Sequence, residues 1–250
     1  MKDKPKHEIL SYGGGTQTAA MCVLVAEGIL PRPDAIIAAD TGREMPTTWE
    51  YLNNVMRPYL ATHGLEVHVA DHSFAYVDIY AHNGDLLLPM FTKNGGKLPT
   101  FCSREWKADV VKRYARKHLG FSGTLISWLG FSLDEKKRVK NHDDRRYPLI
   151  DLMLTANECR AILQRAGLSL PNKSRCWMCP HHTNELWRDV RDNHPELWRQ
   201  AIELEREISD NNDGGPFYLH RSMKPLDQAP IDEDDKKVPS RQCGLGVCFV

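Results

Sequence analysis

A chain of 250 residues, 41% of them hydrophobic, is long enough for one α/β domain with a smaller appendage, so one main core is expected. Its 33 Lys and Arg residues balance 33 Asp and Glu residues, and a formal net charge of zero excludes a global attraction to nucleic acid or anionic membranes. No apolar run approaches the ~20 residues that cross a bilayer, and the polar first residues lack the apolar segment of a signal peptide. We therefore expect a cytoplasmic protein with no membrane partner.

An apolar run from His7 to Tyr12 breaks into three consecutive glycines and then into a helical pattern over Ala19–Ala26. This order predicts a strand, a glycine loop and a helix. Glycines leave the backbone accessible to an anion, and the start of the helix directs free N–H groups and its positive dipole end to the same place. A phosphate site is therefore predicted, with a plain glycine turn as the alternative. The residues of this site are Ser11, Gly13, Gly14, Gly15, Thr16, Gln17 and Thr18.

Strands and helices alternate through the rest of the first half. The further predicted strands are Ala35–Ala39, Glu66–Ala70 and Thr124–Leu129, and the predicted helices between them span 47–62 and 104–118. Such alternation predicts a parallel sheet with right-handed crossovers, in which ligands bind beyond the carboxyl ends of the strands. Because the glycine loop and Asp40-Thr41-Gly42 both follow strand ends, we expect them to lie together.

The character of the chain changes beyond about Tyr147. A helix is predicted over Asp151–Ala166, followed by a cysteine-rich turn, two helical runs that carry Trp187 and Trp198, and an irregular stretch over 213–239 with a solvated acidic run. The chain closes on an apolar, cysteine-bearing segment over 243–250, which we expect to dock. Two parts are therefore predicted: residues 1–150 as a nucleotide-binding α/β domain, and residues 151–250 as a cysteine-rich, mainly helical region.

The seven cysteines are an odd number, and in a reducing compartment clustered cysteines bind metal or do redox chemistry more often than they form structural disulfides. Cys176 and Cys179 are separated by two residues, a spacing that lets both sulfurs face one metal. Zinc or an iron–sulfur cluster needs further ligands, for which Cys102, Cys243 and Cys248 are the candidates.

Four other residues are interpreted as structural. Cys22 and Cys159 fall within apolar helical patterns, which predicts that both are buried. His181 and His182 follow the cysteine pair and could replace a thiolate at zinc, but entry into a helix is the preferred interpretation.

The glycine loop lacks the Gly-Lys-Ser/Thr of a Walker site and the spacing of a G-x-G-x-x-G fingerprint. It resembles the PP-loop of the nucleotide α-hydrolase superfamily, Ser-Gly-Gly-x-Asp-Ser, with Gln17 at the acidic position as in the branch of phosphoadenylyl-sulfate (PAPS) reductases. Further segments are similar to motifs of that family in the same order, namely Asp40–Glu44 with Thr48, Phe101–Lys107, Gly130–Arg138 and Tyr147–Asp151. The resemblance runs from about Ile9 to Cys248.

Two segments suggest a subgroup. Cys176–Pro180, followed by Trp187 and Trp198, resembles a set of PAPS reductase-like proteins common in phage and bacterial genomes. Cys243-Gly244-Leu245 is similar to the reductase tail in which a cysteine attacks the sulfur of the substrate. Here Gly246 replaces the histidine of that tail, Cys248 follows, and the adjacent cysteine pair of the family is absent. Two roles therefore stay open for Cys243, nucleophile and metal ligand.

The resemblance implies a Rossmann-like (HUP-type) parallel sheet flanked by helices, with a bound adenine nucleotide, ATP or adenylyl sulfate. It implies a 4Fe-4S cluster, with zinc as the alternative, and ligands Cys102, Cys176, Cys179 and Cys248. The further nucleotide-binding residues are Asp40, Thr41, Gly42, Glu44, Asp134 and Glu135, and the catalytic residues are Cys243, Lys107 and Arg138.

The roles of four of these residues also follow from side-chain chemistry. Lys107 and Arg138 could neutralise phosphate or sulfate oxygens, and Asp134 with Glu135 could hold Mg²⁺. Surface cations and a surface ion pair are the alternatives.

Three functions remain open. The first is cleavage of ATP between the α and β phosphates with sulfur transfer to an acceptor, which includes tRNA or DNA, helped by a sulfur-donor protein. The second is reductive attack by Cys243 on adenylyl sulfate, with an electron-donor protein. The third is a non-catalytic nucleotide-binding scaffold with structural zinc. The basic stretch over 107–118 is the only support for a nucleic acid, and a solvated helix face is its alternative.

Overall fold

The computed structural model describes residues 4–71, 78–139 and 142–234. Their contacts divide into two units. The first unit contains 4–71, 103–139 and 142–174, and the second contains 78–102 and 175–234. The predicted domains, residues 1–150 and 151–250, have different bounds from these two contact units, and they stay a prediction.

The strands and helices follow in chain order. The strands are β1 (Lys6–Ser11), β2 (Ala35–Ala39), β3 (Val67–Ala70), β4 (Phe91–Thr92), β5 (Thr124–Trp128), β6 (Arg145–Arg146) and β7 (Phe217–Tyr218). The α-helices are α1 (Thr16–Ala26), α2 (Pro46–Tyr51), α3 (Arg57–Thr62), α4 (Asp109–Lys117), α5 (Pro148–Asp151), α6 (Ala156–Arg165), α7 (Asn184–Asn193) and α8 (Pro195–Asp210). Turns of π-helix span Leu52–Met56 and Arg104–Ala108, and 3₁₀ turns span Leu133–Arg138 and Leu226–Gln228.

The first unit is built on a five-stranded, fully parallel sheet in the order β3-β2-β1-β5-β6. The register places Ile9 of β1 opposite Ala35 of β2 and Ser127 of β5. From β1 the chain adds β2 and β3 on one side, and later adds β5 and β6 on the other. The order therefore reverses between β1 and β5, where ligands of open α/β sheets bind.

Alternating side chains of the strands pack against helices on both faces of this sheet. On one face Leu10 and Trp128 join a core with residues of α1 and α6, and on the other Ile9 and Leu125 pack with Val111 of α4. The predicted fold class, a Rossmann-like HUP-type parallel sheet flanked by helices, is confirmed.

The single long helix predicted over Asp151–Ala166 is wrong, because α5 ends at Asp151 and α6 begins at Ala156. The break has a local cause. The Thr155 hydroxyl accepts the backbone N–H of Glu158, and the Glu158 carboxylate accepts the backbone N–H of Thr155. This capping box starts a new helix at Ala156.

The second unit contains the antiparallel pair β4–β7 and the two predicted Trp-bearing helices, α7 and α8. The stretch predicted as irregular over 213–239 includes β7 and a 3₁₀ turn, and residues 235–239 lie outside the described residues, as does the closing segment over 243–250. In the described ranges no helix is both long and apolar enough to span a bilayer.

Candidate functional site

The glycine loop joins the end of β1 to the start of α1. The backbone N–H of Tyr12 still donates to the Ile37 carbonyl, 2.8 Å away, so the strand pairing lasts until the loop begins. Gly15 is the N-cap of α1, with no side-chain cap from the described residues and no acidic residue in the first turn. The N–H groups of that turn have no acceptor within the helix, so they are available to an oxygen of a ligand or of water.

Close contacts hold the loop in place. Gly14 has φ +74°, and a Cβ at this position would lie less than 3.0 Å from Cγ2 of Thr48, so only glycine fits without strain. The Ser174 hydroxyl donates to the carbonyl oxygen of Gly13 at 2.5 Å. A Cβ on Gly130, just after β5, would lie 2.7 Å from Cγ2 of Thr18. The β5 end therefore approaches the start of α1 closely.

A cavity of about 420 Å³ opens between the ends of β1 and β5, within the first unit. We call it the β1–β5 cavity. Its walls are Ser11, Gly13, Gly15, Thr16, Gln17 and Thr18 from the loop and helix start, Lys107, Leu129, Gly130, Phe131 and Glu135 from the middle of the chain, and Ala156, Arg160, Pro171, Lys173 and Ser174 from α6 and beyond. Its size lies in the range of small-molecule sites.

Cations dominate the charged lining of the β1–β5 cavity. Lys107 forms an ion pair with Glu44 at 2.7 Å, and Glu135 pairs with Arg138. Arg160 and Lys173 are exposed. Neither side chain forms a hydrogen bond or an ion pair with a described residue. With three cations and one carboxylate on its walls, the cavity favours an anion.

Asp40-Thr41-Gly42 was the segment expected beside the glycine loop, but the residue after β2 that shares a cavity with the loop is Glu44. Glu44 lines a small cavity of about 20 Å³ together with Ser11, Gly13 and Gly14, and its side chain is 4% exposed. Thr41 is fully buried, and its hydroxyl donates to Glu44 at 3.5 Å.

Asp40 and Gly42 lie apart from the β1–β5 cavity. They line an open groove of about 500 Å³, and the Asp40 carboxylate accepts the Gly42 N–H at 2.8 Å. Of the segment over 40–44, the structure thus brings Glu44 to the loop and ties it to Lys107.

Asp134 and Glu135, predicted together, have different surroundings. The Asp134 carboxylate accepts the backbone N–H of Ala156 at 2.6 Å and so caps α6, and it does not line the cavity. Glu135 does line it. The Arg138 guanidinium pairs with Glu135 and lies over the Phe131 ring, 4.6 Å from its centroid. Arg138 therefore reaches the cavity through Glu135.

The cysteines fall into two groups. Cys22 and Cys159 are fully buried in helices, which confirms the prediction, and burial raises the pKa of both thiols, that of Cys159 to about 12. Cys102, Cys176 and Cys179 are half-buried in the second unit, where the Cys179 N–H donates to the Cys176 carbonyl at 3.2 Å.

Three of the predicted metal ligands, Cys102, Cys176 and Cys179, are among the described residues. Over the ranges that the structure describes, no three His, Cys, Asp or Glu residues are placed to hold a metal ion. Cys243 and Cys248 lie outside those ranges. The described donors alone therefore do not fit a four-thiolate cluster, and the metal set stays a prediction.

The aromatic residues after the cysteine turn pack against one another. The His182 ring meets Trp187 edge-on at 4.5 Å, and Trp187 meets Trp198 edge-on at 6.1 Å between centroids. Arg175 is buried and pairs with Asp189. These contacts fix the start of α7 against α8 and assign the tryptophans a structural role.

Sequence reasoning missed Arg160, Lys173 and Ser174. Arg160 stands beside the buried Cys159 in an ordinary amphipathic helix, which gives no local signal. The polar run over 172–174, just before the cysteine turn, was a weak signal for a segment that folds back onto the glycine loop.

No family model matches the chain, and no curated protein matches it. Among solved structures, the chain is similar to the U34-tRNA thiolase NcsA from Methanococcus maripaludis with its [4Fe-4S] cluster, at a TM-score of 0.39 and 15% sequence identity. The match covers 85% of this chain and 74% of that chain. A similarity at this level assigns neither family nor function.

Proposed function

We propose that the first unit binds an adenine nucleotide with its phosphates in the β1–β5 cavity, as a PP-loop nucleotide-binding enzyme. One observation carries the proposal: the uncapped start of α1 opens into a cation-lined cavity of about 420 Å³ at the point where the strand order reverses. Backbone N–H groups at a helix start bind phosphate, and this place in an open sheet is where ligands bind.

The proposed contacts follow from the cavity walls. The N–H groups of Gly15 and of the first turn of α1 face phosphate oxygens, and Lys107 adds a positive charge held in place by Glu44. Gln17 is neutral, so it adds no repulsion against the phosphates. Glu135 is the carboxylate on the cavity wall and therefore the proposed Mg²⁺ ligand, with Arg138 as its positioning residue.

These groups would act on the negative charge that develops on phosphate oxygens. When a bond between phosphates breaks, negative charge grows on the leaving oxygens, and fixed N–H donors with Lys107 stabilise it without reorganising. A single such donor contributes about 10²–10³-fold in rate in enzymes that use one.

The sulfur chemistry is the finer part of the proposal. The motif resemblance to PAPS reductase-like proteins supports either sulfur transfer after ATP cleavage, with tRNA, DNA or a small molecule as acceptor, or reduction of adenylyl sulfate by Cys243. An iron–sulfur cluster would supply a sulfur-binding or electron-carrying centre, with Cys102, Cys176, Cys179 and Cys248 as the proposed ligands. No step is assigned to it, because the described donors do not form such a site by themselves.

Calorimetric titration with ATP tests nucleotide binding. Gly15 has φ −99°, which other residues adopt, and it lines the cavity, so Gly15→Val keeps the fold while its side chain crowds the phosphate position. Wild type is expected to bind ATP, and Gly15→Val to lose at least about tenfold in affinity. The matched control, Gly214→Val in the second unit, is expected to bind as wild type does. No binding by wild type, or equal binding by Gly15→Val, would contradict the proposal.

Product analysis then separates the chemical branches. Pyrophosphate release from ATP favours adenylation before sulfur transfer, whereas sulfite release from adenylyl sulfate favours reduction. Iron, sulfide and zinc analysis after anaerobic purification of wild type and Cys176→Ser tests the metal set. Iron and sulfide that are lost in the variant support the cluster, and zinc alone supports a structural site.

A further inference from the structure

We propose that Arg160 and Lys173 bind the outer phosphates of a polyphosphate chain, so that the β1–β5 cavity selects a nucleoside di- or triphosphate over a monophosphate. The inference rests on the proposed nucleotide function and specifies which end of the ligand the cavity recognises.

The two cations enter the cavity from a part of the chain remote from the glycine loop. Arg160 lies on α6, and Lys173 lies in the segment that follows it. The Ser174 hydroxyl, next to Lys173, donates to the Gly13 carbonyl at 2.5 Å. This hydrogen bond fixes the backbone of Lys173 beside the loop.

The charge pattern distinguishes these cations from Lys107. Lys107 already forms an ion pair with Glu44 at 2.7 Å, and Glu135 forms one with Arg138. Within the described ranges, Arg160 and Lys173 line the same cavity without an acidic partner. An anionic ligand gives both cations charge-assisted hydrogen bonds, bidentate for the guanidinium and single for the ammonium.

The number of donors indicates the number of phosphates. The uncapped first turn of α1 suffices for one phosphate group. A monophosphate at that position leaves Arg160 and Lys173 without an acceptor, whereas a second and third phosphate extend into the volume that they line. The cavity, at about 420 Å³, has room for such a chain.

The test compares ATP, AMP and inorganic tripolyphosphate by calorimetric titration of the full chain. The double variant Arg160→Ala/Lys173→Ala is expected to lower the affinity for ATP and for tripolyphosphate by about 30–100-fold. Its affinity for AMP is expected to fall by less than about threefold. The control Arg165→Ala/Lys117→Ala removes the same charge from side chains that do not line the cavity. It is expected to change all three affinities by less than about threefold. Thermal melting without ligand verifies that both variants fold.

The outcomes separate the two proposals. Equal losses for ATP and AMP, or a loss for ATP no larger than in the control, overturn the polyphosphate inference and leave nucleotide binding standing. The wild type could instead bind tripolyphosphate but neither ATP nor AMP, with tripolyphosphate binding lost in the Arg160→Ala/Lys173→Ala variant. That result supports the polyanion site and overturns the nucleotide function. A wild type that binds none of the three probes overturns both.

Discussion

Replacing Gly14 by alanine tests whether the glycine loop has the conformation that the site requires. Alanine at φ +74° is strained by about 1–2 kcal/mol. Its Cβ would also lie less than 3.0 Å from Cγ2 of the buried Thr48, which adds about 1–3 kcal/mol for overpacking. Gly14→Ala is therefore expected to lower the free energy of unfolding by about 2–5 kcal/mol and to weaken ATP binding by at least about tenfold. Urea denaturation and calorimetric titration measure the two effects.

Two further variants separate the contributions. Gly28 has φ +73°, and no atom lies within 4 Å of a Cβ built there, so Gly28→Ala isolates the backbone strain. This variant is expected to lower the free energy of unfolding by about 1–2 kcal/mol and to leave the affinity for ATP unchanged. Thr48→Ser removes the clashing methyl group, so in the Gly14→Ala background it is expected to recover about 1–3 kcal/mol. If Gly14→Ala costs no more than Gly28→Ala, or Thr48→Ser recovers nothing, the described loop packing is wrong.

Three other predictions concern residues outside the candidate site. Burial raises the pKa of the Glu205 carboxyl from its ordinary value of 4.5 to about 7. The stability that this group contributes is therefore fully present below about pH 4.5 and is lost as the pH rises through 7. Wild type is therefore expected to lose about 3 kcal/mol of stability relative to Glu205→Gln between pH 4.5 and 7.5 in urea titrations, and parallel pH profiles would contradict this. Thr155→Ala removes the capping hydroxyl of α6 and is expected to cost about 1 kcal/mol, restored by Thr155→Ser; an unchanged denaturation midpoint would show that the cap is not formed. Cys22 and Cys159 are expected to resist thiol labelling until the protein unfolds, because burial raises the pKa of each thiol. Peptide mapping identifies the labelled cysteines, and labelling of either one in the native protein would place it at the surface.

Four of the five strands of the sheet, β1, β2, β3 and β5, were predictable because each contains a short apolar run. The fifth, β6, was missed because it consists of the exposed pair Arg145-Arg146 and has no apolar run. Ala35–Ala39 was placed at its observed bounds, since an apolar run between Asp34 and Asp40 has few alternatives. The break between α5 and α6 was missed although Thr155 and Glu158 have the spacing of a capping box, which is a local signal.

The residues of the candidate site likewise divide into those with a local sequence signal and those without one. The glycine loop is a contiguous segment, so its geometry could be predicted from its own residues. Arg160 and Lys173 reach the cavity only through the packing of α6 and the following segment, a tertiary arrangement without a local pattern. Asp134 and Glu135 are equivalent in the sequence, and only the position of the α6 N-terminus assigns Asp134 to capping and leaves Glu135 at the cavity.

A crystal structure of the full chain with a non-hydrolysable ATP analogue tests the central claim most directly. We expect phosphate oxygens within ~3 Å of the backbone nitrogens at the start of α1, with the outer phosphates beside Arg160 and Lys173. Phosphates bound elsewhere, or a base in place of phosphates at the glycine loop, would contradict it.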